Sequence, residues 1–160
     1  MRCILSIDMG LGLGTAERIP WYSPVDLKRF KHLTANSTML MGRKTFFSLP
    51  INKRPLPGND RKSIVLTRDP RDSKFDSYRE HVNLQIVRPE ELTIDHDTMI
   101  VIGGSQVYNL FREDITILYL TVMKAKYSCD TFLNLVWSEW NVIEYENHED
   151  HEYYVMVKKH

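Results

Sequence analysis

Few features of this sequence point to a disulfide-stabilised, membrane-bound or nucleic-acid-binding protein. It has only two cysteines, Cys3 and Cys129, which make no disulfide framework and favour a cytoplasmic location. No apolar run is long enough for a membrane span or a signal-peptide core. The 21 lysines and arginines balance the 21 aspartates and glutamates, so no net charge favours a nucleic acid or a membrane surface.

Linkers, internal repeats and low-complexity tracts are also lacking. The 160 residues therefore predict one domain, residues 1–160, with an ordinary hydrophobic content of 42%. A domain of this size buries roughly 70% of its unfolded surface and needs no structural metal. His148, Asp150 and His151 lie close together near the end, but nothing else supplies matched metal ligands. A solvent-exposed hairpin turn is the better interpretation, and we expect no metal.

Short apolar runs alternate with helical segments as far as residue 111, which is typical of a mostly parallel sheet. The runs that predict strands are Cys3–Ile7, Thr38–Met41, Ser63–Thr67, Leu84–Val87, Met99–Ile102 and Thr116–Met123. Residues 142–145 and 153–157 flank a polar turn and predict an antiparallel hairpin. We therefore predict an α/β fold whose mostly parallel central sheet has about eight strands, flanking helices and a C-terminal antiparallel hairpin.

Residues 23–34 contain a helix with a well-marked start. Ser23 is a suitable N-cap and Pro24 suits the first helical position. The apolar face at about 100° per residue comprises Leu27, Phe30 and Leu33. Asp26 lies on this face, whereas the basic residues, Arg29 among them, point elsewhere on the helical wheel. Asp26 therefore either binds a ligand with paired N–H donors or interacts only with the helix dipole, and the residues leave both alternatives open.

Three glycines, Gly10, Gly12 and Gly14, follow the first predicted strand. Their spacing is not G-x-G-x-x-G, and no helix follows because residues 15–23 are polar and contain Pro20. We therefore reject a dinucleotide-binding fingerprint here. Residues 9–23 are either a flexible flap beside a site or a plain surface loop.

Two other glycine-containing segments follow predicted strands. Residues 42–45 place a glycine and two cations before a helix, which suits either phosphate binding or solvated charges. Gly103 and Gly104 suit either close approach to a flat ligand or phosphate, or tight packing of a helix on a strand. Arg68 follows the strand that begins at Ser63. Because the carboxyl ends of parallel strands share one edge, we expect a ligand there.

Together, these motifs resemble the dihydrofolate reductase family. The matching segments, in the family's order, are Leu13-Gly14, Pro20-Trp21, Pro24-x-Asp26-Leu27-x-x-Phe30, Met41-Gly42-Arg43-Lys44-Thr45, Arg54-Pro55-Leu56-Pro57-Gly58, Ile102-Gly103-Gly104 with Tyr108, Leu118-Tyr119-Leu120-Thr121 and Asp130-Thr131-Phe132. Each is weak alone, but together they cover essentially the whole chain. The resemblance implies an NADPH-dependent oxidoreductase that reduces 7,8-dihydrofolate to 5,6,7,8-tetrahydrofolate for one-carbon metabolism. It also implies a cytoplasmic monomer that binds antifolates.

The resemblance implies three catalytic residues. Asp26 would hydrogen-bond the ring amide and 2-amino group of the pterin, Thr121 would bond to Asp26, and Trp21 would bind a nearby water. Asp26 would orient and polarise the pterin, with a water as the proton donor. Arg61 resembles the arginine that pairs with the glutamate carboxylate of folate. The other implied substrate residues are Ile4, Leu27, Phe30, Leu56 and Ile102.

The resemblance also implies a cofactor site. Arg43 and Arg68 would meet the adenosine 2′-phosphate, and Tyr108 would border the nicotinamide. Gly103 and Gly104, joined in the family by a cis peptide bond, would lie beside the pyrophosphate. The implied cofactor residues are Leu13, Gly14, Gly42, Arg43, Lys44, Thr45, Thr67, Arg68, Ile102, Gly103, Gly104, Ser105, Gln106, Val107 and Tyr108. The implied reaction is hydride transfer from NADPH to C6 of 7,8-dihydrofolate with protonation at N5.

The sequence departs from the family pattern in places. Leu5 and Ser6 stand where alanines are usual, and Asn59-Asp60 is inserted before Arg61. The related reductase of riboflavin synthesis shares the fold and NADPH, but it lacks the helix carboxylate and the Pro-Trp pair. A nucleotide-binding module without activity is the alternative from another class, and intact Asp26 and Trp21 argue against it.

Overall fold

The computed structural model describes residues 1–15 and 19–160 and confirms the mostly parallel α/β architecture. The described strands are β1 (Arg2–Ile7), β2 (Gly12–Gly14), β3 (Thr38–Gly42), β4 (Lys62–Leu66), β5 (Leu84–Val87), β6 (Met99–Gly103), β7 (Ile117–Met123), β8 (Thr131–Phe132), β9 (Trp140–Asn147) and β10 (His151–Lys158). The α-helices are α1 (Pro24–Leu33), α2 (Arg43–Ser48) and α3 (Ser105–Leu110). Short 3₁₀ helices occur at Ile51–Lys53, Ser73–Tyr78, Pro89–Glu91 and Trp137–Glu139.

Eight of the described strands form one sheet, in the order β5-β4-β3-β6-β1-β7-β10-β9. The first six strands in this order, β5-β4-β3-β6-β1-β7, are each parallel to their neighbours. The last two strands form the predicted hairpin, because β10 is antiparallel to both β7 and β9. The nearly continuous apolar runs of β3, β4 and β6 suit parallel strands that are covered on both faces.

The sheet separates two apolar cores. Successive residues of β3 alternate between them, since Leu40 packs into the first core while Met39 and Met41 pack into the second. The second core is completed by Phe46, Val65, Phe75, Leu84 and Ile100. Helix α1 borders this second side through Phe30, which is partly buried against the same core.

A second, two-stranded sheet was not predicted. In it, β2 pairs antiparallel with β8, and Gly12 lies opposite Phe132. Part of the glycine-rich segment is therefore regular structure, although residues 16–18 of the predicted flap lie outside the described residues. Within residues 1–15 and 19–160, no helix is both long and apolar enough to cross a membrane.

Candidate active site

The carboxyl ends of three parallel strands lie side by side and begin the site. Met41 of β3 pairs with Gly103 of β6, and Gly42 pairs with Leu66 of β4. Helices α2 and α3 both start from this edge. The segments implied to bind a ligand therefore leave the sheet together, as the parallel topology predicts.

Helix α1 begins as predicted but packs less deeply than predicted. The Ser23 side chain accepts a hydrogen bond from the backbone N–H of Asp26 at 3.4 Å, and Pro24 occupies the first turn. None of the ten helical residues is fully buried. Leu27, which the helical wheel places on the apolar face, is 51% exposed and therefore does not pack into the core. The apolar side of α1 is therefore only partly covered, because Phe30 packs against the second core while Leu27 is exposed.

Asp26 has two partners on one carboxylate oxygen. The Thr121 hydroxyl donates to Oδ1 at 2.6 Å, which joins α1 to β7. Arg29 Nη1 donates to the same oxygen at 3.0 Å, so the prediction that Arg29 points away from the face of Asp26 is wrong. An arginine three residues along a helix is long enough to reach back, which a wheel of Cα directions does not show. No described residue donates to Oδ2.

Trp21 is hydrogen-bonded to Ser6, which the sequence analysis named as a departure from the family pattern but not as a partner of Trp21. Its indole Nε1–H donates to Ser6 Oγ at 2.8 Å, and its ring lies 5.3 Å from the Tyr127 ring. Ser6 therefore receives the donor that the resemblance assigned to a water. The sequence signal was the serine on β1 at a position where the family has alanine.

Four residues implied to contact the substrate share one side of the sheet. Ile4, Phe30, Leu56 and Ile102 are each partly buried against the second core. They are contributed by β1, α1, the loop after α2 and β6. This common packing makes an apolar wall on the side of the sheet that faces Phe30 of α1. Leu27 is not among the residues that pack there.

Arg61 is buried, with 6% of its surface exposed, despite the insertion before it. The inserted Asn59 and Asp60 form a turn with φ of 54° and 52°, and Asn59 O accepts from the Asn36 backbone at 2.8 Å. The Arg61 guanidinium donates to Thr34 Oγ1 at 3.2 Å and to the carbonyl of Pro57. Burial lowers the pKa of Arg61. Within the described ranges no carboxylate pairs with this cation.

The glycine pair lies against the start of α2. The Gly103–Gly104 peptide bond is cis, and Gly103 has a φ of +126°. A Cβ on either glycine would meet only Thr45 Oγ1, at 3.6 Å. Gly42 is closer to its neighbour, since a Cβ there would lie 3.3 Å from Val107. The ends of β3 and β6 and the helices α2 and α3 therefore lie close together without filling the space beside the glycine pair. This space fits an extended phosphate-containing cofactor.

The cations of the implied phosphate site are in different states. Arg43 Nη1 lies 2.5 Å from Asp72 Oδ2, a partner that the sequence did not predict. A backbone hydrogen bond from Lys74 and a side-chain bond from Arg43 lower the pKa of Asp72. Arg68 and Lys44 are exposed, and no described residue pairs with Arg68. Arg68 is therefore a freely available cation, whereas Arg43 is shared with Asp72.

The remaining implied cofactor residues vary in exposure. Tyr108 is only 1% exposed, and burial raises its pKa to about 12. Its partners in the first core include buried Val107 and partly buried Leu13. The other members are buried Gly14 and Thr67, half-buried Ser105 and exposed Gln106. Tyr108 is thus covered by protein atoms over nearly all of its surface.

Asp8, which the sequence reasoning missed, anchors the glycine-rich segment. Its Oδ1 accepts from the backbone N–H groups of Gly10 and Gly12, each at 2.8 Å. Its Oδ2 accepts from the Tyr127 backbone at 2.8 Å. Burial raises the pKa of Asp8, but these backbone donors outweigh burial and leave the pKa below its usual value.

Asp8→Asn is expected to lower the free energy of unfolding by about 1–3 kcal/mol at pH 7, because charge-assisted hydrogen bonds are lost. Since folding lowers the pKa of Asp8, its contribution is present above the unfolded pKa of about 3.9 and is lost as the pH falls through the folded value. Urea unfolding of wild type, Asp8→Asn and the exposed control Asp97→Asn at pH 7, 5 and 3 measures this. A difference that persists unchanged at pH 3 contradicts the argument.

The polar cluster near the end is more buried than predicted. His151 is fully buried, so the prediction of a solvent-exposed turn is wrong for this residue. His148 stacks on it with ring centroids 4.5 Å apart. The reason is long-range, because both imidazoles contact Arg29 of α1. In the described part of the chain, no group of three or more His, Cys, Asp or Glu residues could bind a metal ion.

Comparison with known proteins agrees with this geometry. The sequence model of the family described as "Dihydrofolate reductase" matches residues 1–159. The dihydrofolate reductase of Lactococcus lactis is 37% identical over 123 residues, covering 75% of this chain and 69% of that protein. The dihydrofolate reductase type 9 of Escherichia coli is 34% identical over 149 residues, covering 89% and 81%.

A similar solved structure is dihydrofolate reductase from Enterococcus faecalis complexed with NADP(H) and RAB-propyl. The two structures align with a TM-score of 0.78 at 27% identity, covering 99% of this chain and 96% of that chain. The similarity therefore extends over the entire sheet and over all the segments that form the site.

Proposed function

The chain belongs to the dihydrofolate reductase family and is an NADPH-dependent reductase of 7,8-dihydrofolate, and from that premise we propose how its residues act. The observation that carries the proposal is the Asp26 carboxylate on the open side of α1. It is bonded to Thr121 through Oδ1, while Oδ2 receives no donor from the described residues. A carboxylate with free acceptor positions beside an apolar wall suits a flat ring with paired N–H donors.

On the substrate side, Asp26 binds the amide and 2-amino edge of the pterin and fixes its orientation. Phe30 and Ile4 supply apolar surface along the rings, and Leu56 borders the benzoyl group, since all three share one side of the sheet. Arg61 pairs with the glutamate carboxylate, supported by its buried guanidinium without an acidic partner among the described residues. These contacts place the pterin rather than transfer a proton to it.

On the cofactor side, the residues present fit NADPH. Arg68 and Arg43 bind the 2′-phosphate, and Lys44 and Thr45 bind the phosphates at the start of α2. Gly103 and Gly104 allow the pyrophosphate to approach the backbone, supported by the space that a Cβ at either position would enter. When bound, NADPH supplies the hydride.

Trp21 and the glycine-rich segment exclude water from the nicotinamide site. Trp21 is oriented by Ser6 and Tyr127, and Asp8 orders Gly10 and Gly12. Asp8 and Trp21 each also contact Tyr127, so both ends of residues 8–21 are connected to the body of the protein. Leu13 and Gly14 border the nicotinamide from within it.

The chain acts as a cytoplasmic monomer. One copy supplies every residue in the proposed substrate and cofactor sites, which supports action as a monomer. Cys3 and Cys129 are free thiols, as suits a reducing compartment. Sedimentation of the purified protein with NADPH tests the oligomeric state, and a dimer at assay concentration contradicts it.

Purified protein mixed with NADPH and 7,8-dihydrofolate tests the activity, followed by loss of NADPH absorbance and identification of tetrahydrofolate. We expect turnover that requires both compounds and is inhibited by a 2,4-diaminopyrimidine antifolate. Binding of NADPH without turnover of dihydrofolate would instead support a nucleotide-binding module.

Arg68→Gln is expected to lower kcat/KM for NADPH about tenfold while leaving that for NADH within twofold, because only NADPH carries the 2′-phosphate. The effect should shrink at high salt, since Arg68 is exposed. The matched control is Lys62→Gln, which removes an exposed cation from the start of β4, the strand that Arg68 follows. Equal losses with NADPH and NADH would remove the 2′-phosphate role.

A further inference from the structure

An arginine on α1 connects the proposed substrate carboxylate to the C-terminal hairpin. Arg29 Nη1 lies 3.0 Å from Asp26 Oδ1 and 3.1 Å from His151 Nε2. Arg29 Nη2 lies 3.1 Å from His148 Nε2, and Cζ lies 3.9 Å from the Tyr153 ring centroid. We name these five residues the Arg29 cluster. Three of them come from the hairpin formed by β9 and β10.

The chemistry of the partners determines how Arg29 is bonded. A guanidinium has donors only, so in its hydrogen bonds with His148 and His151 the acceptor is the Nε2 atom that faces Arg29. His151 Nδ1 lies 2.5 Å from Asp150 Oδ1 and donates to it. The two rings also stack at an interplanar angle of 12°. The acceptors of Arg29 are therefore themselves fixed in orientation.

The hairpin is bonded to the start of α1 as well. Hydrogen bonds from His151 and from Ser23, the N-cap of α1, lower the pKa of Asp150. Glu146 also lies 3.7 Å from Arg29 Nη2, but its side chain is 51% exposed and contributes little. Arg29 is consequently fixed from the hairpin side, independently of its contact with Asp26.

This arrangement restricts the Asp26 carboxylate. A carboxylate has about four acceptor positions, and Thr121 and Arg29 both use Oδ1. Rotation of the carboxylate would break both bonds at once. The side chains of Asp26 and Arg29 are only 20% and 13% exposed, so the adjacent cation also offsets the cost of a charged carboxylate there.

We propose that Arg29 is a positioning residue for the pterin, acting through Asp26 and oriented by His148, His151 and Tyr153. The inference rests on the proposed function only in that Asp26 binds the pterin edge. An isolated surface pair at this helical spacing contributes very little. Arg29 differs because hairpin groups already fix its guanidinium, so little side-chain freedom remains to be lost when Asp26 is ordered.

The test combines Arg29→Met, which keeps an apolar stem, with Asp26→Asn. Arg29→Met alone is expected to raise KM for dihydrofolate about tenfold, with kcat and KM for NADPH within twofold, as for one lost charge-assisted bond. In the Asp26→Asn background, the same substitution should change kcat/KM less than twofold. An equal loss in both backgrounds overturns the proposal, as does an unchanged KM in Arg29→Met.

Two further variants separate positioning from general packing. Arg29→Lys keeps the charge and a donor toward Asp26. Its KM for dihydrofolate should be at least threefold lower than that of Arg29→Met. His148→Phe keeps the ring stack but removes the acceptor, and should raise KM two- to threefold in wild type but not in Arg29→Met. Arg88→Met, which removes an exposed i,i+3 pair with Glu91, is the control and should change nothing. A lysine variant as impaired as the methionine variant overturns the role.

Equilibrium binding of 2,4-diamino-5-benzylpyrimidine distinguishes this inference from the proposed function. The probe carries paired N–H donors for Asp26 and requires no turnover. Calorimetry should show about tenfold weaker binding to Arg29→Met and no further weakening in the Asp26→Asn background. If the variants show this binding pattern but the wild type does not turn over dihydrofolate, the result contradicts the proposed function alone. If the wild type turns over dihydrofolate but the variants do not show this binding pattern, the result contradicts the inference alone.

Discussion

Asp26→Asn is expected to lower kcat/KM for dihydrofolate about 100- to 1,000-fold at pH 7, as 3–4 kcal/mol of a charged contact is lost. Asparagine has one acceptor oxygen in place of two, and its amide N–H groups would face the N–H donors of the pterin. It also weakens the bonds that Thr121 and Arg29 make to Oδ1. Steady-state kinetics with dihydrofolate and NADPH measures the effect.

The chain provides a closely matched control for this substitution. Asp76 pairs with Arg79 at the same i,i+3 spacing and the same 3.0 Å distance, but its side chain is 67% exposed. Asp76→Asn should therefore change kcat/KM less than twofold. KM for NADPH should stay near the wild-type value in both variants, because Asp26 lies on the substrate side. Unchanged kinetics in Asp26→Asn would remove the central role assigned to this carboxylate.

Arg61→Met is expected to raise KM for dihydrofolate about 30-fold, the loss that follows when a hydrogen-bonded charge pair of about 2 kcal/mol is removed. The reason is burial, since Arg61 is 6% exposed. Its hydrogen-bond partners are backbone carbonyls and Thr34 rather than a carboxylate. A dihydropterin without the glutamate tail serves as the internal comparison. Its kcat/KM should fall less than threefold.

A stability loss must be separated from a binding loss at this position. Arg54 lies in the same loop, and its guanidinium also donates to backbone carbonyls, including Leu49 O at 2.7 Å. Arg54→Met should lower the midpoint of thermal unfolding while changing KM for dihydrofolate less than threefold. Equal effects of Arg61→Met on dihydrofolate and on the tail-less dihydropterin would exclude pairing with the glutamate carboxylate.

Local patterns in the sequence were sufficient for most of the fold. The apolar runs placed β5 correctly and placed β1, β3, β4, β6 and β7 to within one or two residues. They succeeded because parallel strands covered on both faces require continuous apolar residues. The small sheet of β2 and β8 was missed because its strands have three and two residues and include two glycines. Such short segments pair only through contacts that are distant in sequence.

The sequence by itself also determined which residue types could bind a ligand and where strands would present them. Asp26 beside Phe30, the cations after Gly42, and Gly103-Gly104 are local features that parallel topology brings to one edge. The order of these motifs along the chain was enough to identify the family. Their individual roles came from the resemblance, because each motif alone also has a purely structural explanation.

Only the tertiary structure decided which polar side chains are paired. Asp72 with Arg43, Ser6 with Trp21, and His148 and His151 with Arg29 are separated by 29, 15, 119 and 122 positions in the sequence. A helical wheel or strand pattern describes the direction of one element and carries no information about partners on another. Long side chains such as arginine also reach well beyond the direction of their Cα–Cβ bond. The surroundings of Asp26 were therefore determined by the packing of the C-terminal hairpin against α1.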